Sequence, residues 1–364
     1  MRGRLAASEQ ERDRSSRMAR RRRTSKRKNS SGAAGTLLAL FFVVLVMAAS
    51  AAAWLFFAPY GPETETFVEL APGSSTARIG QQLELAGVAR SRYAFDLLRW
   101  LKRGTLRAGE YRFDHPAALT EVYARIARGD VFALAVTIPE GANIFDVAAR
   151  LERAGLGNRQ AFLDAAAKQT ALVASLDPAA TSLEGYLFPD TYFFARNASP
   201  AQICATMARR FQTVAGQLGL KGNAHRVVTL ASLVERETAV DAERPLIAGV
   251  FENRLATNMP LMTDPSVIYG LELEGRWRGA IYQSDLKLNT PWNTYLHTGL
   301  PPGPVANPGM KSLRAAMEPA KTDYFYFVAA GANPQGRSLF ARTLEEHNRN
   351  VAGYRDAVKK SGAQ

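Results

Sequence analysis

Hydrophobic positions along this chain follow three patterns. The first is continuous. Thr36 to Ala58, TLLALFFVVLVMAASAAAWLFFA, runs 23 residues without a charge. At about 1.5 Å rise per residue, such a run crosses roughly 30 Å of hydrocarbon as a helix. The second pattern occurs twice, at an offset of 68 residues: Val68 matches Val136, Leu70 Ile138, Gly73 Gly141, Ile79 Val147, Leu83 Leu151, Ala86 Ala154, Gly87 Gly155, Val88 Leu156 and Asp96 Asp164. Each copy predicts a short strand, a glycine turn, an amphipathic helix stopped by glycine, and a second helix. The matched positions are mainly apolar or glycine, so they report shared structure and not shared chemistry. The third pattern is helical. In Arg226 to Thr238, RVVTLASLVERET, the apolar Val227, Leu230, Ala231 and Val234 recur at i, i+3, i+4 and i+7, which buries one face.

Beyond that helix the sequence predicts another from Pro245 to Thr257, one from Met310 to Met317, and a closing helix from Leu344 to Lys360. DYFYFVAA and RSLFART, separated by GANPQG, predict a hairpin. MTDPSVIYG (Met262 to Gly270) and NTPWNTYLHTGLPPGPVANPG (Asn289 to Gly309) read as loops, and long ordered loops are usually functional. The whole is an α+β pattern behind one apolar span.

Charge changes the picture at one end only. The chain has 364 residues, enough for two or three domains, and a net charge of +13. Residues 1 to 30 hold 12 Lys or Arg against Glu9, Glu11 and Asp13, a net of +9, so the rest carries +4. Residues 1–35 have almost no apolar side chains and are expected to form an unfolded tail. The basic cluster precedes the span, so the positive-inside rule keeps the tail cytoplasmic and sends the rest outward. Trp54, Phe56 and Phe57 suit the aromatic belt at the far interface. A cleavable signal peptide is the rival reading, against which stand the length of the run and the lack of a small-x-small site. Topology explains the basic charge, so no nucleic-acid partner is expected. Cys204 is the only cysteine and reads as a small core residue, which excludes an internal disulfide. The four histidines share no ligand spacing, and neither metal nor cofactor is expected.

Candidate chemistry gathers at the end of the Arg226–Thr238 helix. Glu235 and Glu237 lie about 200° apart around a helix axis, so they cannot serve one site as neighbours on a face. Both sit at the margins of the apolar stripe, Glu237 slightly nearer its centre. A carboxyl at the rim of a core loses solvation and can hold its proton near neutral pH, as a general acid must. Two solvated glutamates, one paired with Arg236 or Arg244, give the same letters. Upstream, SLEGYLFPDTYFF (Ser182 to Phe194) mixes aromatics with Glu184 and Asp190. That mixture suits a sugar site, and equally a hydrophobic corner packed on the helix.

EGYLFPDTY, ASLVERETAV, TDPSVIYG, NTPWNTYLHTGLPPGPVANPG and the YFYFVA hairpin, in this order behind a single span, closely resemble the YceG-like endolytic murein transglycosylases (the MltG family). VTIPEGANIFDVAARL also resembles the opening of LysM glycan-binding modules, although a purely structural spacer fits those residues as well. The resemblance implies an α+β ectodomain with LysM-like subdomains behind one transmembrane helix. The expected layout is a tail at 1–35, a span at 36–58, a first α/β repeat at 63–133, a LysM-like repeat at 134–172 and a catalytic domain at 173–360. It implies a single-pass lyase of the bacterial inner membrane, with its catalytic domain in the periplasm, that cuts peptidoglycan glycan strands near penicillin-binding synthases. Carried over by position, the catalytic glutamate falls on Glu237. Supporting or sugar-binding residues are expected among Glu235, Glu184, Tyr186, Asp190, Asp264, Asn293 and Tyr295. Asp264 also reads as a turn residue before Pro265. A lytic transglycosylase needs one acid/base carboxyl, where hydrolases usually pair two. A hydrolytic muramidase and a non-catalytic glycan-binding scaffold are the alternatives.

Overall fold

The computed structural model describes residues 30–222, 224–331 and 336–362. The chain forms two compact units, residues 1–132 and 133–364. Most of the basic tail lies outside the described residues. Helix α1, Ser30–Phe57, begins inside the segment expected to stay unfolded, because the apolar run that follows carries the helix back to Ser30. Within it, Gly35–Phe57 is long and apolar enough for a membrane anchor or a signal sequence, and only its last turns are partly covered by protein.

In the first unit, β1 (Thr66–Leu70), α2 (Thr76–Leu85), α3 (Arg92–Lys102) and β2 (Gly109–Phe113) are followed by α4 (Leu119–Arg128). β1 and β2 pair antiparallel with Val68 opposite Tyr111. Their buried faces enclose Leu70, Ile79, Leu83, Phe95, Leu98, Val122 and Ile126. In the second unit the same order returns as β3 (Leu134–Thr137), α5 (Ile144–Arg153), α6 (Arg159–Lys168) and β4 (Thr191–Phe194), with Val136 opposite Tyr192. The 68-residue correspondence is therefore a repeated β-α-α-β unit. Matched apolar positions are buried in both copies except Ala86 and Ala154, which are half-buried, and Gly73 and Gly141 share φ +77° in the turn after the strand. L-residues other than glycine rarely adopt that conformation. The return strands escape a periodicity reading because each is only a few residues long. β4 lies at 191–194, beyond the residue 172 boundary, so the second copy closes inside the segment expected to be catalytic.

The rest of the second unit is mainly helical: α7 (Pro200–Leu218), α8 (Ala224–Glu237), α9 (Arg244–Ala256), α10 (Asp264–Leu273), α11 (Met310–Met317) and α12 (Leu344–Ser361). The hairpin β5 (Tyr326–Ala329) and β6 (Ser338–Ala341) is present. Most of its connecting turn lies outside the described residues. One expectation fails here. TDPSVIYG is not a loop, because Pro265 stands in the first turn of α10, where its missing N–H costs no bond and its fixed φ suits a helix.

α8 runs through the middle of this unit, burying Val228, Leu230, Ala231, Leu233 and Val234. Asn307 joins three segments around it. Its amide donates to Ala142 O at 2.8 Å and Glu184 Oε1 at 3.1 Å, and its Oδ1 accepts from Leu187 N at 2.9 Å. Ser232, on the buried face of α8, accepts from Val305 N at 3.0 Å. The glycine- and proline-rich loop is thereby sewn onto the helix that carries the two glutamates.

Candidate active site

Glu237 is the last residue of α8, where the unpaired carbonyls form the negative end of the helix dipole and favour a neutral carboxyl. It is half-buried in the wall of a cleft of about 740 Å³, shared with Arg254, Asp264, Tyr295, Tyr326 and His347. Burial and, next, the charge of Asp264 push its carboxyl up to about 7, against the pull of Arg254 and Arg236. A carboxyl with that affinity can give up and regain a proton near neutral pH, as general acid–base chemistry needs.

Asp264 opens α10, where the positive end of the dipole favours a carboxylate. Tyr295 donates its hydroxyl to Asp264 Oδ1 at 2.6 Å. Burial first, and then that bond, raise the pKa of the phenol, so Tyr295 stays a donor. Arg254 is 8% exposed and donates from Nε to Phe325 O and from Nη1 to Leu261 O, each at 2.7 Å. Burial lowers its pKa, while Tyr326 and Glu237 oppose that shift; a guanidinium remains charged regardless. Arg254 was legible in one respect. It stands at i+7 from the buried Ile247 and i+3 from Phe251, a core-facing position where a charge has to have a purpose.

The loop before α10 is held under local strain. Met262, 47% exposed at the cleft, has φ +54°, costing about 1–3 kcal/mol for a residue other than glycine. Thr294 holds it there, accepting from Met262 N through its carbonyl and from Thr263 N through its hydroxyl, both at 3.0 Å. Two buried polar atoms of cleft residues, Thr263 Oγ1 and His347 Nδ1, have no hydrogen-bond partner among the described residues. Groups of that kind suit a polar ligand. Among the described residues, no three His, Cys, Asp or Glu side chains are arranged to hold a metal ion.

The structure therefore brings Glu237, Asp264 and Tyr295 together and places the other candidates elsewhere. Glu235 points away from the cleft. It accepts from Arg244 Nη2 at 3.0 Å and from Gly309 N at 2.9 Å, with both charged side chains 5% exposed. Glu184 is buried and accepts from Ile144 N at 2.9 Å, and burial raises its carboxyl to about 8. Tyr186 is fully buried, donates to Asp177 and packs edge-on against Phe211 at 5.1 Å. It has no face free for a sugar. Asp190 pairs with Arg210 Nε at 2.7 Å. Asn293 is buried and spends its amide on the Leu286 and Leu288 carbonyls, at 3.0 and 2.8 Å. EGYLFPDTY is a packing corner, because its aromatic rings turn inward.

Known proteins resemble this chain over most of its length. The endolytic murein transglycosylase of Bacillus subtilis is 33% identical over 313 residues, covering 80% of this chain and 85% of that protein. That of Streptococcus pneumoniae D39 is 29% identical over 321 residues, covering 78% of this chain and 57% of its own length. The chain thus spans little more than half of the pneumococcal protein. The crystal structure of a yceG-like protein from Listeria monocytogenes superposes with a TM-score of 0.51 at 30% identity, covering 79% of this chain and 99% of that one. The sequence model of the YceG-like family matches residues 68–353, which take in both β-α-α-β units and the whole cleft. The chain belongs to the YceG-like family.

Proposed function

We propose that this protein is a peptidoglycan lytic transglycosylase that cleaves murein glycan strands internally, with Glu237 as its acid and base. The carrying observation is a carboxyl raised to about 7 at the end of a buried helix, inside a cleft of polysaccharide size. The relatives named endolytic murein transglycosylases support the substrate class. In the first step Glu237 gives its proton to the glycosidic oxygen between the muramic unit and its neighbour. The C1–O bond breaks and the cation at C1 faces the negative charge of Asp264. In the second step the muramic C6 oxygen bonds to C1, and the C6 hydroxyl proton returns to Glu237. The product ends in a 1,6-anhydro ring and the enzyme is restored, with no water consumed. Proton transfer by one positioned group accounts for about 10²–10⁴-fold, and electrostatics around the cation must supply the rest.

One observation favours a second reading. Asp264 is a second carboxylate in the same cleft, as retaining and inverting hydrolases require. Against it, Tyr295 already occupies one of its oxygens. Digestion of murein in ¹⁸O-labelled water, followed by mass spectrometry, separates the two. Unlabelled anhydro-muramic ends are expected, with long fragments first. Label at reducing ends would make the protein a muramidase, and glycan binding without cleavage would make it a scaffold.

The charge pattern and the apolar α1 support a single-pass anchor in the bacterial inner membrane, tail in the cytoplasm and catalytic unit in the periplasm. The paired β-α-α-β topology supports glycan-holding modules of the LysM kind. A lyase held at that membrane would meet strands as penicillin-binding synthases extend them. Protease added to spheroplasts should remove the outer part and spare an amino-terminal tag.

A further inference from the structure

Helix α3 has an apolar face that its own unit leaves uncovered. Tyr93, Leu97, Trp100 and Leu101 are 67%, 47%, 66% and 57% exposed, whereas Ala94, Phe95 and Leu98 are buried. At about 100° per residue, the four exposed positions fall within one stripe of roughly 100°, beside the buried stripe. Arg92 and Arg99 share the remaining arc with Asp96, Lys102 stands in the last turn on the side away from the exposed stripe, and Arg103 follows at the helix end. A helix with Trp, Tyr and Leu on one side and cations on the other has the composition of an interfacial membrane helix.

The fold says what would cover this face. α1 packs against α3 and α4 through its last turns, where Ala52, Leu55 and Phe56 become half-buried and Phe56 joins the core of the unit. The Arg90 guanidinium, just before α3, sits 4.1 Å from the Trp54 ring and 4.8 Å from Tyr60, and donates to Pro59 O at 3.0 Å. The end of the apolar span is thus fixed to the helix that bears the exposed stripe. α3 therefore starts beside the end of the span.

We propose that α3 lies in the headgroup layer of the membrane that α1 spans, with Tyr93, Leu97, Trp100 and Leu101 inserted and its cations on anionic lipid. The inference rests on the anchor reading of α1. Basic side chains near such a surface are drawn to anionic lipid, and aromatic rings prefer that depth. The catalytic chain would then be attached at two points of its first unit instead of swinging on a single span.

Spin labelling of the full chain in vesicles of phosphatidylethanolamine and phosphatidylglycerol tests this. Leu97→Cys and Leu101→Cys each accept a nitroxide. Cys204 is buried with its thiol pushed up to about 12, which keeps it unreactive. Both labels are expected to collide several-fold more with oxygen than with an aqueous nickel chelate. Arg92→Glu, Arg99→Glu and Lys102→Glu together should return them to water. Release of the chain by alkaline carbonate would overturn the anchor reading and this inference with it. Retention in the membrane with water-exposed labels would overturn the inference alone. Protection that appears only when glycan strands are added would make the face a glycan site and refute it.

Discussion

Tyr295 donates its hydroxyl to Asp264 across 2.6 Å, joining the long proline-rich loop to the first turn of α10 beside Glu237. This bond fixes a negative charge near the acid, and that charge helps to hold the Glu237 proton. Folding of two distant segments therefore sets the working pH of a third.

Asp264→Asn should move the pH dependence of cleavage. Glu237 must be protonated to act, so kcat/KM falls as pH rises through its value of about 7. Removing the Asp264 charge lowers that value, and the alkaline limb should shift to lower pH. An unmoved limb would mean that Asp264 does not act on the acid.

Tyr295→Phe leaves the Asp264 carboxylate without its phenolic donor. Loss of a hydrogen bond to a charged group costs about 1.5–3 kcal/mol. Turnover should fall by about tenfold to a hundredfold if that energy belongs to the transition state. Steady-state kinetics at saturating murein will show it as kcat. A change confined to KM would assign Tyr295 to binding.

Glu237→Gln should abolish cleavage and stabilise the fold at alkaline pH. The native carboxyl holds its proton up to about 7, while the unfolded one releases it near 4.5. Between these limits the native state binds more protons, so this contribution to stability is present at low pH and lost as pH rises. Gln carries no such dependence. Melting temperatures at about pH 5 and about pH 8 should show the variant gaining on the wild type as pH rises; a constant difference would refute the raised value.

Glu235→Ala removes one member of a pair whose side chains are each 5% exposed. An uncompensated buried arginine costs about 3–5 kcal/mol. Urea unfolding should detect this loss, while any folded fraction keeps its alkaline limb unchanged. Full stability of the variant would show that Arg244 finds enough in Ser312 and Asp241 alone.

Asn307→Leu should destabilise by leaving Leu187 N without its acceptor, and by taking one of two donors each from Ala142 O and Glu184 Oε1. Each buried group left without its bond costs about 1–3 kcal/mol. Denaturant midpoints will measure the total, and a loss under 1 kcal/mol, roughly, would mean that these partners rearrange.

Periodicity alone determined much of this protein. The apolar run, the 68-residue repeat, the helix bearing the glutamates and the divergence of Glu235 from Glu237 all follow from local geometry, which the backbone imposes on any sequence. Local geometry also failed in places. Asp264 looked like a turn residue because Asp-Pro is as common before turns as at helix starts, and only the rest of α10 decided between them. Tyr186, Asp190 and Asn293 carry groups suited to sugars, yet they are spent on Asp177, Arg210 and two carbonyls, partners 5 to 20 residues away. Which polar groups remain free depends on what else arrives beside them, and no single segment records that. The same is true of the acid. Sequence could place Glu237 at the edge of a core, but its raised affinity for a proton comes from Asp264 and from a cleft closed by α9, α10 and α12. Desolvation and Coulomb forces act through space, so only the tertiary structure sets them.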